Sequence, residues 1–255
     1  PDGLTSVSEL SPGNRLLRRP IKLPSFDPGA DELVAATASD VEAAAPSETY
    51  VDHAIRTLGN ALPFDAHSRQ GVAAARLAGH LFGDGTLELD GQRARLVFRA
   101  PRTDLGEIRE DLDRLGFDPD APRHKESDAQ IVAADGSTTD VAGGGWTMEL
   151  RSKPLASLFA ALGVPAGDKT ESAFDVPQWV REGPAAVKRA FLSAYFGAEL
   201  STPAVRGPKL FKKPTFKLAK TNDVLDAGHQ FVDQIDDLLS EFGTGVSNVR
   251  EEAGN

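Results

Sequence analysis

The pattern of apolar and polar positions changes character several times along the chain. Residues 1–22 set short apolar pairs between turn residues (Asp2-Gly3, Pro12-Gly13-Asn14) and read as two short strands around a turn. Residues 23–49 carry Pro24, Pro28 and Pro46 with room for one helix between them. A short helix over 50–59 ends at Gly59, and Ser68 is placed to cap a longer one running to about Asp84. LELDGQRARLVFRA (87–100) is two alternating strands joined by Asp90-Gly91, a hairpin signal. Thr103 then caps a helix with Leu105, Ile108, Leu112 and Leu115 at helical spacing and Gly116 as the stop. QIVAAD and GWTMELRS predict two more strands, and 154–163 another helix.

A second series follows in the same order. Residues 184–200 form a helix with Pro184 near its first turn, 201–220 are strand-rich, 222–243 form a long helix, and GVSNVREE begins a further strand. Helix, strand, strand, helix is thus visible twice, the mark of an internal repeat whose second copy is shorter.

Composition narrows the possibilities. The chain has no cysteine, which excludes disulfides, thiolate zinc sites and a cysteine nucleophile within it. No run of 18 apolar residues suggests a membrane span, and no basic-then-apolar start suggests a secretory signal, so a cytoplasmic protein is expected. The net charge of −10 fits either an ordinary acidic protein or one kept in solution at high salt. Yet 206–220, RGPKLFKKPTFKLAK, holds six cations and no acid. His53, His67, His80, His124 and His229 show no metal-ligand spacing, and Trp146 and Trp179 read as core anchors.

The helix before Asp84 is thinned by Ala78, Gly79 and Gly83. Small residues four apart let two helix backbones approach closely, and Ala194 and Ala198 repeat that spacing in the second copy. Both helices then finish on an acid, Asp84 and Glu199, although carboxylates oppose the dipole at a helix C-terminus.

These residues carry a resemblance. Leu77-Ala78-Gly79-His80-Leu81-Phe82-Gly83-Asp84-Gly85 resembles the LAGLIDADG motif of homing endonucleases, and Leu192-Ser193-Ala194-Tyr195-Phe196-Gly197-Ala198-Glu199-Leu200 resembles its second, degenerate copy. Val176-Pro177-Gln178-Trp179-Val180 and Gly163-Val164-Pro165-Ala166-Gly167-Asp168-Lys169 are similar to the approach and the lysine-bearing loop of intein endonucleases. The resemblance implies an α+β fold of two pseudo-symmetric αββαββα repeats, the second shortened, with a DNA-binding β-sheet saddle. Gly79 and Gly83 would face Ala194 and Ala198 across the central helix pair. Asp84 and Glu199 would be catalytic and hold Mg²⁺ (or Mn²⁺), with Lys169 as helper near the attacking water or the phosphate. Arg93, Arg95 and Arg99 in one copy, and Arg206, Lys209, Lys212, Lys213, Lys217 and Lys220 in the other, would meet duplex DNA from the strands. The acidic helices, with Asp104, Glu110, Asp111 and Asp113 in one and Asp233, Asp236, Asp237 and Glu241 in the other, would face water.

The domain reading is 1–22 as a fragment of a Hint splicing domain, 23–64 as connector, 65–166 as the first repeat and 167–255 as the second. The expected function is an intein-encoded, site-specific double-strand endonuclease. It would act as a monomer, with duplex DNA and the host exteins as partners and no membrane. A nucleic-acid-binding module without cleavage and a structural insertion are the alternatives. Two departures bear on activity: Glu199 is one methylene longer than aspartate, and Leu200 stands where glycine is usual.

Overall fold

The computed structural model describes residues 32–132, 138–201, 204–205, 211–212 and 214–252. The strands read in 1–22 lie outside them. Thr37 opens α1 (Ala38–Ala44) with a reciprocal capping box to Asp40. Helix α2 (Glu48–Leu58) follows, and β1 (Val34–Ala36) pairs with β2 (Phe64–Asp65). Ser68 caps α3 (Arg69–Phe82), its hydroxyl accepting from the Gly71 amide at 2.9 Å.

The central sheet is antiparallel in the order β3-β4-β6-β5, with β3 (Thr86–Leu89), β4 (Ala94–Arg99), β5 (Arg123–Val132) and β6 (Thr138–Arg151). Asp90 closes the β3–β4 turn by accepting from the amides of Gln92 and Arg93, so the tip falls on Gly91-Gln92, one residue later than expected. Alternation along the strands buries Leu87, Leu96, Phe98, Met148 and Leu150 on one face. Helices α3, α4 (Arg102–Arg114) and α5 (Lys153–Ala161) pack against the sheet, and α1 and α2 pack on α5. The other face presents Thr86, Glu88, Arg95, Arg99, Thr147, Glu149 and Arg151. This is a mixed α+β architecture with its helices gathered over one side of a sheet.

After the short α6 (Gln178–Arg181) comes α7 (Ala185–Glu199), then β7 (Ala204–Val205) paired with β8 (Phe211–Lys212), then α8 (Leu225–Glu241). The element order α3-β3-β4-α4 therefore recurs as α7-β7-β8-α8. Phe82, Phe174, Phe191, Tyr195 and Phe231 form an edge-to-face and stacked cluster joining α3, α7 and α8, with centroids 5.1–6.2 Å apart.

Several expectations are corrected. GVSNVREE forms no strand. Thr103 does not cap α4: the helix starts at Arg102 after Pro101, whose φ of −51° is preset for it, and the Thr103 hydroxyl donates to Asp104 instead. Asp111 does not face water. It is 1% exposed and clamped between Arg76 and Arg114, each 2.5 Å away, which ties α4 to α3. Trp179 is a core anchor, its indole N–H donating to the Leu162 carbonyl, but Trp146 is half-buried under Arg102.

Candidate functional site

Helices α3 and α7 pack backbone to backbone. A methyl added at Gly79 would lie 2.4 Å from the Phe191 carbonyl oxygen and 2.9 Å from the Ala194 Cβ. One added at Gly83 would lie 2.7 Å from the Ala198 Cβ. The small residues thus meet in pairs along one seam, because anything larger would hold the helices apart.

This seam brings the two terminal acids into mutual electrostatic range. Burial pushes the Glu199 carboxyl above the usual carboxylate range, the negative charge of Asp84 raises it further, and Lys169 opposes both. Asp84 is exposed, just beyond the end of α3, and Glu199 is half-buried at the end of α7. Leu200 adopts φ −80°, ψ 130°, ordinary extended backbone, so the leucine in place of glycine is unstrained there.

Lys169 is placed differently from the expected helper role. Its ammonium donates to the carbonyls of Leu81 (3.1 Å), Phe82 (3.0 Å), Gly83 and Gly85 (3.0 Å). Leu81, Phe82 and the cap residue Gly83 carry carbonyls that the helix C-terminus leaves unpaired, Gly85 lies just beyond, and a cation there also complements the dipole. With its donors so engaged, Lys169 fixes the backbone that carries Asp84. Burial lowers its pKa first of all, while Glu199 and Asp84 act to raise it. The loop bearing it is pinned to β3 through the Gly167 amide and the Leu87 carbonyl (2.9 Å).

Of the residues expected to meet DNA, Arg99 lies beside the first acid, donating to the Asp84 carbonyl and the Thr86 hydroxyl, both at 3.0 Å. Arg95 is held by two bonds to Glu88 (2.7 and 2.8 Å) and reaches Glu149 at 3.4 Å. Arg93 makes looser pairs with Asp90 (3.4 Å) and Glu88 (3.7 Å). Lys217 is exposed, 3.6 Å from Glu252. Lys220 turns inward: it donates to the carbonyls of Lys169 (2.7 Å) and Ser172 (2.5 Å) and sits 3.5 Å over the Phe174 ring. Burial, then Lys169, pull its pKa down to about 8. Lys212 is on β8, and Arg206, Lys209 and Lys213 lie outside the described residues.

Sequence reasoning missed the inward turn of Lys220, the Arg99 bond to Asp84 and the Arg76–Asp111–Arg114 clamp. Only the clamp left a trace, an acid among the helical apolar positions of α4. Among the described residues no group of three or more His, Cys, Asp or Glu gathers as a metal site, and no helix is long and apolar enough to cross a membrane.

No family model matches the chain. It is 37% identical over 195 residues to the DNA-directed RNA polymerase subunit Rpo1N of Methanocaldococcus jannaschii, a match covering 76% of this chain and 14% of that protein. It is 30% identical to the tRNA-splicing ligase RtcB of Pyrococcus abyssi, over 71% of this chain and 19% of the ligase. It is 28% identical to the replication factor C small subunit of Methanocaldococcus jannaschii, over 66% of this chain and 9% of that subunit. The chain thus spans less than a fifth of each of these relatives, and related sequence recurs inside three differently named proteins. Membership of the LAGLIDADG family, and a splicing-domain fragment at 1–22, are corrected by these findings: neither is carried by a family match or by the relatives. The physical reason is plain. Glycine and alanine at four-residue spacing are what any close helix pair requires, so they specify packing before they specify a family.

Proposed function

We propose that the chain is a metal-dependent DNA endonuclease carried as an intein-type insert within host proteins, hydrolysing both strands of a specific duplex site as a monomer. The observation that carries the reading is the pairing of Asp84 with Glu199 at the shared end of α3 and α7, with Lys169 holding the same turn. Recurrence of related sequence in a polymerase subunit, a ligase and a replication factor, at 9–19% of each, supports an element carried inside unrelated hosts.

Two carboxylates without further protein ligands suit Mg²⁺ or Mn²⁺. Mg²⁺ keeps several waters and is held by one or two carboxylates plus substrate phosphate. The upward push of the Asp84 charge on the Glu199 carboxyl is what a divalent cation would relieve. Asp84 and Glu199 would hold it; when bound it supplies an activated water and neutralises charge at the scissile phosphate. Lys169 and Arg99 act on the backbone, the first fixing the last carbonyls of α3, the second tying the Asp84 carbonyl to β3 and β4. The outward sheet face offers Arg95, Arg99 and Arg151 to a duplex.

One observation favours a structural insertion or a non-cleaving binder instead: Arg95, near the hairpin end of that face, is already held by Glu88. Cleavage decides between the readings. The substrate is a supercoiled plasmid carrying the host coding sequence uninterrupted by the insert, incubated with Mg²⁺. The expected result is linear product that disappears in Asp84→Asn and in Glu199→Gln. Retarded plasmid without cutting would favour the binder, and no association at all the structural insertion.

A further inference from the structure

A cleft of about 470 Å³ opens at the end of the sheet remote from the acids. Arg93, Arg95, Arg151 and Lys153 line it together with Tyr50 and Gln92, and no carboxylate does, in a chain where acids outnumber bases 38 to 28. Its walls come from three parts of the fold: the β3–β4 turn, the passage from β6 into α5, and α2. Tyr50 of α2 lies beneath the Lys153 ammonium at 4.3 Å and props it in place.

The cations differ in how firmly they are engaged. Arg95 is locked to Glu88. Arg151 is 72% exposed and reaches Glu149 only at 3.6 Å, and Arg93 is 65% exposed with partners at 3.4 and 3.7 Å. Exposed pairs of that kind are worth at most about 1 kcal/mol, so an incoming phosphate displaces them readily. Arg93, Arg151 and Lys153 are therefore the available donors.

We propose that this cleft is a second contact for the nucleic-acid backbone, seating a phosphate of duplex DNA at the far end of the outward sheet face, where Arg95 and Arg151 meet Lys153 and α2. The inference rests on the nucleic-acid reading above. It adds a partner for α2, which the sequence placed in a connector. The chain from Asp84 through β3 to Asp90 rises at most about 3.3 Å per residue, so the cleft lies up to about 20 Å from the acids. At 3.4 Å per step of one DNA strand, that is up to about six base pairs from the cut.

The test is equilibrium binding of the full chain to a non-specific duplex of about 24 base pairs, titrated with salt. Lys153→Gln and Arg151→Gln are measured singly and together, beside Arg69→Gln, an exposed cation at the opposite end of α3 from Asp84. Each cleft substitution is expected to lower the slope of log K against log salt by about 0.9, and the double variant to bind about tenfold more weakly or worse at low salt. Circular dichroism checks that each variant is folded, and the single variants carry the result should the double not be. Cleft variants that keep the wild-type slope while the wild type binds duplex overturn the cleft alone. A wild type that binds no duplex overturns both the cleft and the nucleic-acid reading. Loss confined to single-stranded RNA also overturns the proposal.

Discussion

Replacing Gly79 by alanine tests the helix seam on which the site depends. The added methyl would stand 2.4 Å from the Phe191 carbonyl oxygen, 2.9 Å from the Ala194 Cβ and 3.0 Å from the Tyr195 amide nitrogen, where ordinary contact begins at 3.4 Å. Two of the three obstacles are backbone, so no side-chain rotation clears them, and α3 must move off α7 by about 1 Å. Overpacking a core costs about 1–3 kcal/mol, and a clash with backbone belongs at the upper end. Alanine returns about 1 kcal/mol through helix propensity. The net expectation is a loss of about 2 kcal/mol, or about 4–8 °C in Tm for a chain of this size. Gly197→Ala in α7 is the matched control. A methyl there meets nothing within 4 Å, so only the propensity term acts, and stability should rise by up to about 1 kcal/mol. Urea unfolding of both variants reads the difference through the midpoint at constant slope. Equal or greater stability in Gly79→Ala would show that the seam is not close-packed, and the reasoning from small residues to paired acids would fail.

Other consequences are as specific. Lys169→Met strips four carbonyls at the end of α3 of their shared donor and should cost about 1–3 kcal/mol, with earlier hydrogen exchange at Gly83 and Gly85. Asp111→Ala removes the buried acceptor of Arg76 and Arg114, whose own side chains are 32% and 49% exposed and so keep access to water, and should cost about 1–3 kcal/mol in thermal or urea unfolding. Burial lowers the His80 pKa to about 4, against an upward pull from Asp104 and a further downward one from Arg76. Between about 4 and 6.5 the unfolded chain therefore binds the proton that the folded chain refuses. Stability from this group is complete above 6.5 and lost as pH falls toward 4, by up to about 3 kcal/mol. His80→Gln should flatten that part of the pH–stability profile, and an unchanged profile would contradict a half-buried imidazole held neutral.

Local signals in the chain were sufficient where one residue satisfies one backbone demand. Ser68 caps α3 because its hydroxyl reaches Gly71 three residues on, and Asp90 closes the hairpin because its carboxylate reaches two amides of the same turn. Gly79 and Gly83 mark the seam because only close helices require such residues at that spacing. What escaped was decided by partners distant in sequence. Asp111 stands among the apolar positions of α4, but what buries it is Arg76, 35 positions earlier, which the spacing along α4 does not show. Lys169 looks like a free loop lysine until the end of α3, more than 80 positions earlier, supplies its acceptors. Lys220 belongs by composition to a run of cations, yet the carbonyls of Lys169 and Ser172 draw it inward. The family assignment failed for a related reason, since short motifs shaped by packing recur wherever the packing does.

Manganese binding, followed by the loss of the free-ion resonance in electron paramagnetic spectra, tests most directly whether two acids from separate helices form one cation site. The account predicts saturable binding by the wild-type chain, and near-complete loss in Asp84→Asn, in Glu199→Gln and in the double variant alike. Full binding retained by either single variant, or losses that simply add, would mean that the two carboxylates act apart.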